Sequence, residues 1–146
     1  DVIHKGLVGV VTSGTSARVF AGAGYTSAGK TGTAQAVTIG QKDKYDAAKL
    51  SEYQRDHALY MAYAPAEKPK IAVAVVVENA GFGAASAAPI ARRVFDYWLL
   101  GQYPNDEDMM ATQKGQTASP VGKPRDKTEV PMLSPKYLPT GKADKP

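Results

Sequence analysis

The stretch from His57 to Asn79 constrains the fold of this chain more than any other. HALYMAYAP, beginning at His57, and KIAVAVVVEN, beginning at Lys70, are two apolar runs joined by turn-forming residues around PAEKP. Two such runs with a short polar connection read as an antiparallel hairpin. In the second run, Ile71 to Val77 is apolar at every position. Apolar side chains on both alternating faces predict a strand buried on both sides, in the middle of a sheet. The hairpin and the helix that follows it suit an antiparallel sheet covered by helices, an α+β arrangement.

The flanks supply those helices. Asp1 can cap a short helix on which Ile3, Leu7, Val10 and Val11 recur at helical spacing. After Gly81 and Gly83 a second helix starts near Ser86, with Pro89 tolerated in its first turn. Ile90, Val94 and Trp98 lie four apart on one face, which is expected to pack on the sheet, with Arg92, Arg93 and Asp96 falling elsewhere. Between Gly40 and Arg55 the chain is polar, and Tyr45, Ala48, Leu50 and Tyr53 hint at a short helix in a long insert.

Composition changes near Leu100. Residues 101–146 hold seven of the ten prolines, and no stretch there has helical or strand periodicity. The expectation is a folded part over 1–100 and a low-order, Pro- and Lys-rich tail over 101–146. The net charge of +4 is small and scattered, with no basic arm, so nucleic acid is not an expected partner. There is no cysteine, and His4 and His57 lie far apart, so no metal or other cofactor is expected. No apolar run approaches the ~20 residues of a membrane helix.

One segment carries two chemistries. GYTSAGKTGTAQ, from Gly24 to Gln35, contains G-x-x-x-x-G-K-T over Gly24 to Thr31, a phosphate-cradling loop. It also contains K-T-G-T over Lys30 to Thr33, a motif of serine acyltransferases. The first reading needs a strand before the loop and a helix after Lys30 and Thr31. Ala17 to Phe20 offers at best a short strand, and GTAQAVTIG is poor helix and reasonable strand. In its favour, Ile71 to Glu78 mimics an apolar strand ending in a magnesium-holding acid. The second reading needs Lys30 on a strand at a cleft rim. Gly32 would let a substrate backbone approach, and the hydroxyls of Thr31 and Thr33 would hold an acceptor-rich group.

Residues around the motif extend the match. AGKTGTAQ, followed by RDHALYMAYAP, KIAVAVVVEN and AAPIARRVFDYWL, with GTSARVF ahead, closely resembles the C-terminal part of the class B penicillin-binding proteins over Val2 to Leu100. The resemblance implies the penicillin-binding-protein and serine β-lactamase-like transpeptidase fold, an antiparallel sheet packed between helices. It implies a serine-type D,D-transpeptidase, of the D-Ala–D-Ala carboxypeptidase class, that cross-links peptidoglycan stem peptides and is acylated by β-lactams. Lys30 would organise the active-site network. Lys30, Thr31, Gly32 and Thr33 would line the substrate, and the Thr33 backbone N–H would donate to the oxyanion.

The family's S-x-x-K and S-x-N motifs are absent. Of the seven serines only Ser27 has a lysine three residues on, and that lysine is Lys30 of K-T-G. The chain is therefore expected to be the C-terminal piece of a larger protein and inactive alone. Its first partner would be the missing N-terminal part, which would carry the nucleophile serine and base lysine. By resemblance the whole protein would sit at the periplasmic side of a bacterial inner membrane, with a membrane glycan polymerase as a further expected partner. Two rivals remain: a nucleotide-binding protein using Gly24 to Thr31, and a non-catalytic relative of the penicillin-binding fold. Adjacent Asp56 and His57 would point apart on a strand and suit a structural role at its start. Tyr60, Tyr63, Tyr97 and Trp98 read as packing residues.

Overall fold

A computed structural model describes residues 1–36 and 55–129. The polar insert around Tyr45 to Tyr53, and the last residues of the expected tail, lie outside the described residues. Helix α1 spans Val2–Thr12, and the Asp1 carboxylate caps it by accepting from Ile3 N at 3.1 Å. Ala17–Phe20, expected as at best a short strand, is instead a single helical turn, α2. Strands β1 (Ala28–Ala34), β2 (His57–Ala64) and β3 (Ile71–Val77) form one antiparallel sheet in the order β1-β2-β3. The expected hairpin is therefore present, with Tyr60 opposite Val75 and Ala64 opposite Ile71.

β3 departs from expectation. Among the described residues it is an edge strand, and its alternate residues Ala72, Ala74 and Val76 are exposed. The other face, Ile71, Val73, Val75 and Val77, packs against the core. The side chains that would make the outer face a buried one are not among the described residues.

Helices α3 (Gly83–Ser86) and α4 (Ala88–Leu100) cover the inner face of the sheet. The core joins Val11, Val19, Phe20, Ala58, Tyr60, Ala62, Ala91 and Phe95. The face of α4 that packs is not the one its hydropathy predicts. Ala88, Ala91, Arg92, Phe95 and Asp96 are buried, whereas Ile90, Val94 and Trp98 are exposed. Tyr97 is also exposed and meets Tyr103 edge-on. Arg92 and Asp96 can go inside because each satisfies the other. Arg92 Nε donates to both Asp96 oxygens, at 2.9 and 3.0 Å, and Nη1 donates to the carbonyls of Val19 and Ala21.

The segment after Leu100 holds more order than its composition suggests. β4 (Gln102–Tyr103) pairs with β5 (Arg125–Asp126), α5 spans Asp106–Gln113, and a 3₁₀ turn covers Lys127–Glu129. Polar anchors hold it. Arg93 grips buried Asp108 with two bonds, Nη2 to Oδ1 at 2.7 Å and Nε to Oδ2 at 3.0 Å. Asn105 caps α5 through Asp108 N and donates to the carbonyls of Val121 and Lys123. Asp108→Asn removes the charge and sets an NH2 group against one of the donors that Asp108 accepts from, a loss of roughly 1.5–3 kcal/mol or at least about tenfold in local opening. Limited proteolysis should then cut within 101–129 at least about tenfold faster while the sheet stays intact. Unchanged digestion would refute the role given to this pair.

Candidate active site

Lys30, Thr31, Gly32 and Thr33 lie in the middle of β1, an edge strand of the sheet among the described residues. They face Met61, Tyr60, Leu59 and Ala58 of β2 in register. A strand, with no helix N-terminus after the lysine, removes the geometry a phosphate loop needs over Gly24 to Thr31.

Three contacts fix which way the β1 peptides face. A Cβ built on Gly83 would lie 2.2 Å from Leu59 O, 2.5 Å from Gly32 O and 3.1 Å from Gly32 N, so these atoms cluster on the β2 side. Four residues on, just past the end of β1, Ala36 N donates to the Asp56 side chain, also toward β2. Thr31 O, by contrast, accepts from Lys30 Nζ at 2.7 Å. Peptide directions alternate along a strand, so the Thr31 and Thr33 N–H groups turn toward the edge away from β2.

The side chains alternate as well. Lys30 is exposed on the same face as Met61. Its face opens on a cavity of about 430 Å³ that Leu7, Met61 and Tyr63 also line. Thr31 and Thr33 share the opposite face with Tyr60 and Ala58. Thr31 Oγ1 lies 3.2 Å from Thr15 Oγ1, in the turn between α1 and α2. Gly32 is backed by packing: a Cβ there would press on Leu59 Cβ at 3.2 Å, and Gly83 lies over its peptide. Gly83 itself has no room for a side chain, because the β1 and β2 backbones meet it directly.

What precedes Lys30 is held rigidly. A Cβ on Gly29 would lie 2.7 Å from the hydroxyl of Tyr60, so the tyrosine fills that space. Tyr60 is fully buried and shares a 3.2 Å hydrogen bond with Ser16 Oγ. Burial pushes its phenol above the ordinary value, with the Ser16 bond working the other way. Tyr25 donates to Asp96 Oδ1 at 2.7 Å, and burial first, then that bond, push its phenol far up. Both phenols therefore keep their protons near neutral pH and brace the site, and neither is a proton acceptor for chemistry there.

Asp56 and His57 point apart as expected. Asp56 accepts from Ala36 N, while His57 Nδ1 accepts from Asn79 N at 3.0 Å, closing the end of β3 onto the start of β2. Thr15, Ser16, Gly83 and Arg92 were not readable as site residues. GTSARVF was the one visible signal for the first two.

K-T-G-T thus lies on an edge strand of an antiparallel sheet with helices on one face, the placement that the acyltransferase reading of the sequence requires. The profile described as "Penicillin binding protein transpeptidase domain" matches residues 1–96, and the chain belongs to that family. It is 45% identical over 109 residues to the peptidoglycan D,D-transpeptidase MrdA of Haemophilus influenzae, covering 73% of this chain and 17% of that one. Against the MrdA of Acinetobacter baumannii it is 47% identical over 103 residues, covering 70% and 15%. It also resembles a crystal structure of Pseudomonas aeruginosa PBP2 in complex with WCK 5153, with TM-score 0.53 and 41% identity over 66% of this chain and 19% of that one. The chain thus spans less than a fifth of the length of these relatives. Among the described residues no helix is long and apolar enough to cross a membrane.

Proposed function

We propose that this chain is the K-T-G wall of a peptidoglycan D,D-transpeptidase, and that the rest of the protein supplies the nucleophile serine and its base lysine. The observation that carries the reading is the edge-strand placement of Lys30 to Thr33, with the Thr33 N–H turned outward from the sheet. A serine from the opposite wall would attack the carbonyl of the D-Ala–D-Ala bond in a stem peptide. The Thr33 N–H would donate to the oxygen as it gains charge, one of two donors of that kind. D-Ala would leave, and an amine of a neighbouring stem would take the acyl group. A β-lactam would acylate the same serine and remain.

In this scheme Lys30 steadies the network around the serine, and Thr31 and Thr33 hold the terminal carboxylate of the substrate or antibiotic. The exposed outer face, with Met61, Ala74 and Val76, suits burial by the rest of the protein. Membrane anchoring, a periplasmic location and pairing with a glycan polymerase belong to the same proposal. The test is covalent labelling of the complete protein by fluorescent penicillin. A labelled band that survives denaturation is expected. Stabilisation by nucleotide without labelling would overturn the reading, and reversible penicillin binding without a covalent band would favour a non-catalytic relative.

A further inference from the structure

We propose that Thr15 is a positioning residue for the carboxylate-binding hydroxyl of Thr31; the proposal rests on the acyltransferase reading above. The geometry is a clamp. Thr31 and Tyr60 are register partners across β1 and β2. Two consecutive residues of the α1–α2 turn take one each: Thr15 Oγ1 meets Thr31 Oγ1 at 3.2 Å, and Ser16 Oγ meets Tyr60 Oη at 3.2 Å. The turn is itself held to α1, because Ser16 N and Ser16 Oγ both donate to Val10 O, at 3.1 and 3.2 Å. Lys30 Nζ holds the main-chain carbonyl of Thr31 on its other side. Thr31 is therefore gripped at both its backbone and its hydroxyl.

The chemistry sets the direction of the bond. A threonine hydroxyl has one proton and two acceptor lone pairs, whereas an ionised carboxylate only accepts. If Thr31 donates to Thr15, it has nothing left for a carboxylate. If Thr15 donates to Thr31, the Thr31 proton stays available. A bound carboxylate selects the second arrangement, and the chain Thr15 O–H to Thr31 O–H to carboxylate polarises each bond in turn. Thr15 thereby sets both the rotamer of Thr31 and the strength of its donor, without touching the substrate.

The test uses the complete protein and two probes, benzylpenicillin and its methyl ester, which lacks the anion. The second-order acylation constant is read for wild type, Thr15→Val, Thr15→Ser, Thr31→Val and the Thr15→Val/Thr31→Val double variant. Thr15→Val should slow benzylpenicillin roughly threefold to tenfold, the worth of one neutral hydrogen bond, and leave the ester unchanged. Thr15→Ser should restore the rate. In the Thr31→Val background Thr15→Val should do nothing further.

Equal losses for both probes, a persisting effect in the Thr31→Val background, or no loss at all would overturn the proposal. Where Thr15→Val lowers the melting temperature, Thr15→Ala read at a lower assay temperature gives the same comparison. Failure of the wild type to be acylated by either probe sinks the acyltransferase reading itself, and the Thr15 proposal with it. Acylation of the wild type with no response at Thr15 sinks the proposal alone.

Discussion

Lys30→Ala is expected to slow penicillin acylation of the complete protein by about 10- to 150-fold and to leave its melting temperature unchanged. A charge-assisted hydrogen bond is worth about 1.5–3 kcal/mol, and about 1.4 kcal/mol is a factor of ten. The stability half of the expectation comes from where the lysine sits. In this chain its side chain is exposed, and it bonds the carbonyl of its own neighbour Thr31, at 2.7 Å, so its loss removes no contact with the core of this part. Exposed substitutions away from caps and cores stay within about 0.5 kcal/mol. Lys30→Arg keeps the charge but replaces a compact ammonium by a planar fork, so it should recover only part of the rate. Wild-type labelling by Lys30→Ala would remove Lys30 from the site. A large fall in melting temperature would mean that it is structural instead.

The strands were legible in the sequence because their signals are local. Apolar runs, turn residues and the K-T-G-T spacing all lie within a few residues of the positions they describe. The hairpin of β2 and β3 and the strand that holds Lys30 to Thr33 could be placed for that reason. Reading charge as surface misled on α4. Ile90, Val94 and Trp98 form the better hydropathy stripe, yet α4 buries Arg92 and Asp96, which neutralise each other four residues apart. Likewise 101–129 lacks a hydrophobic period and is docked by Arg93, Asn105 and Asp108.

The contacts that shape the site are long in sequence. Thr15 meets Thr31 sixteen residues on, and Gly83 meets Leu59 and Gly32 from beyond the hairpin. No periodicity encodes such pairs. β3 reads as doubly buried because its side chains are apolar on both faces, and that pattern speaks of a surface to be covered, not of which elements cover it.

Arg92→Leu is expected to cost the complete protein roughly 3–5 kcal/mol, the usual consequence of removing one partner of a buried ion pair. Both side chains are 8% exposed, so solvent does little to screen the loss. The substitution strands three acceptors at once. Asp96 is left with Tyr25 alone, and the carbonyls of Val19 and Ala21 lose their donor. Those carbonyls end α2 and begin the passage to Gly24 and Tyr25, so the damage runs toward the K-T-G strand. Replacing the pair together, Arg92→Leu with Asp96→Leu, removes the orphaned carboxylate. Swapping a buried pair for apolar residues is often close to neutral. Here it should recover only part of the loss, because the buried Val19 carbonyl still lacks its donor, at about 1–3 kcal/mol, while the Tyr25 hydroxyl keeps the main-chain carbonyl of residue 92. Thermal unfolding of wild type, both single variants and the double variant measures this. A double variant as stable as wild type would show that the ion pair is self-contained. An Arg92→Leu protein that melts with wild type would show that α4 does not depend on it.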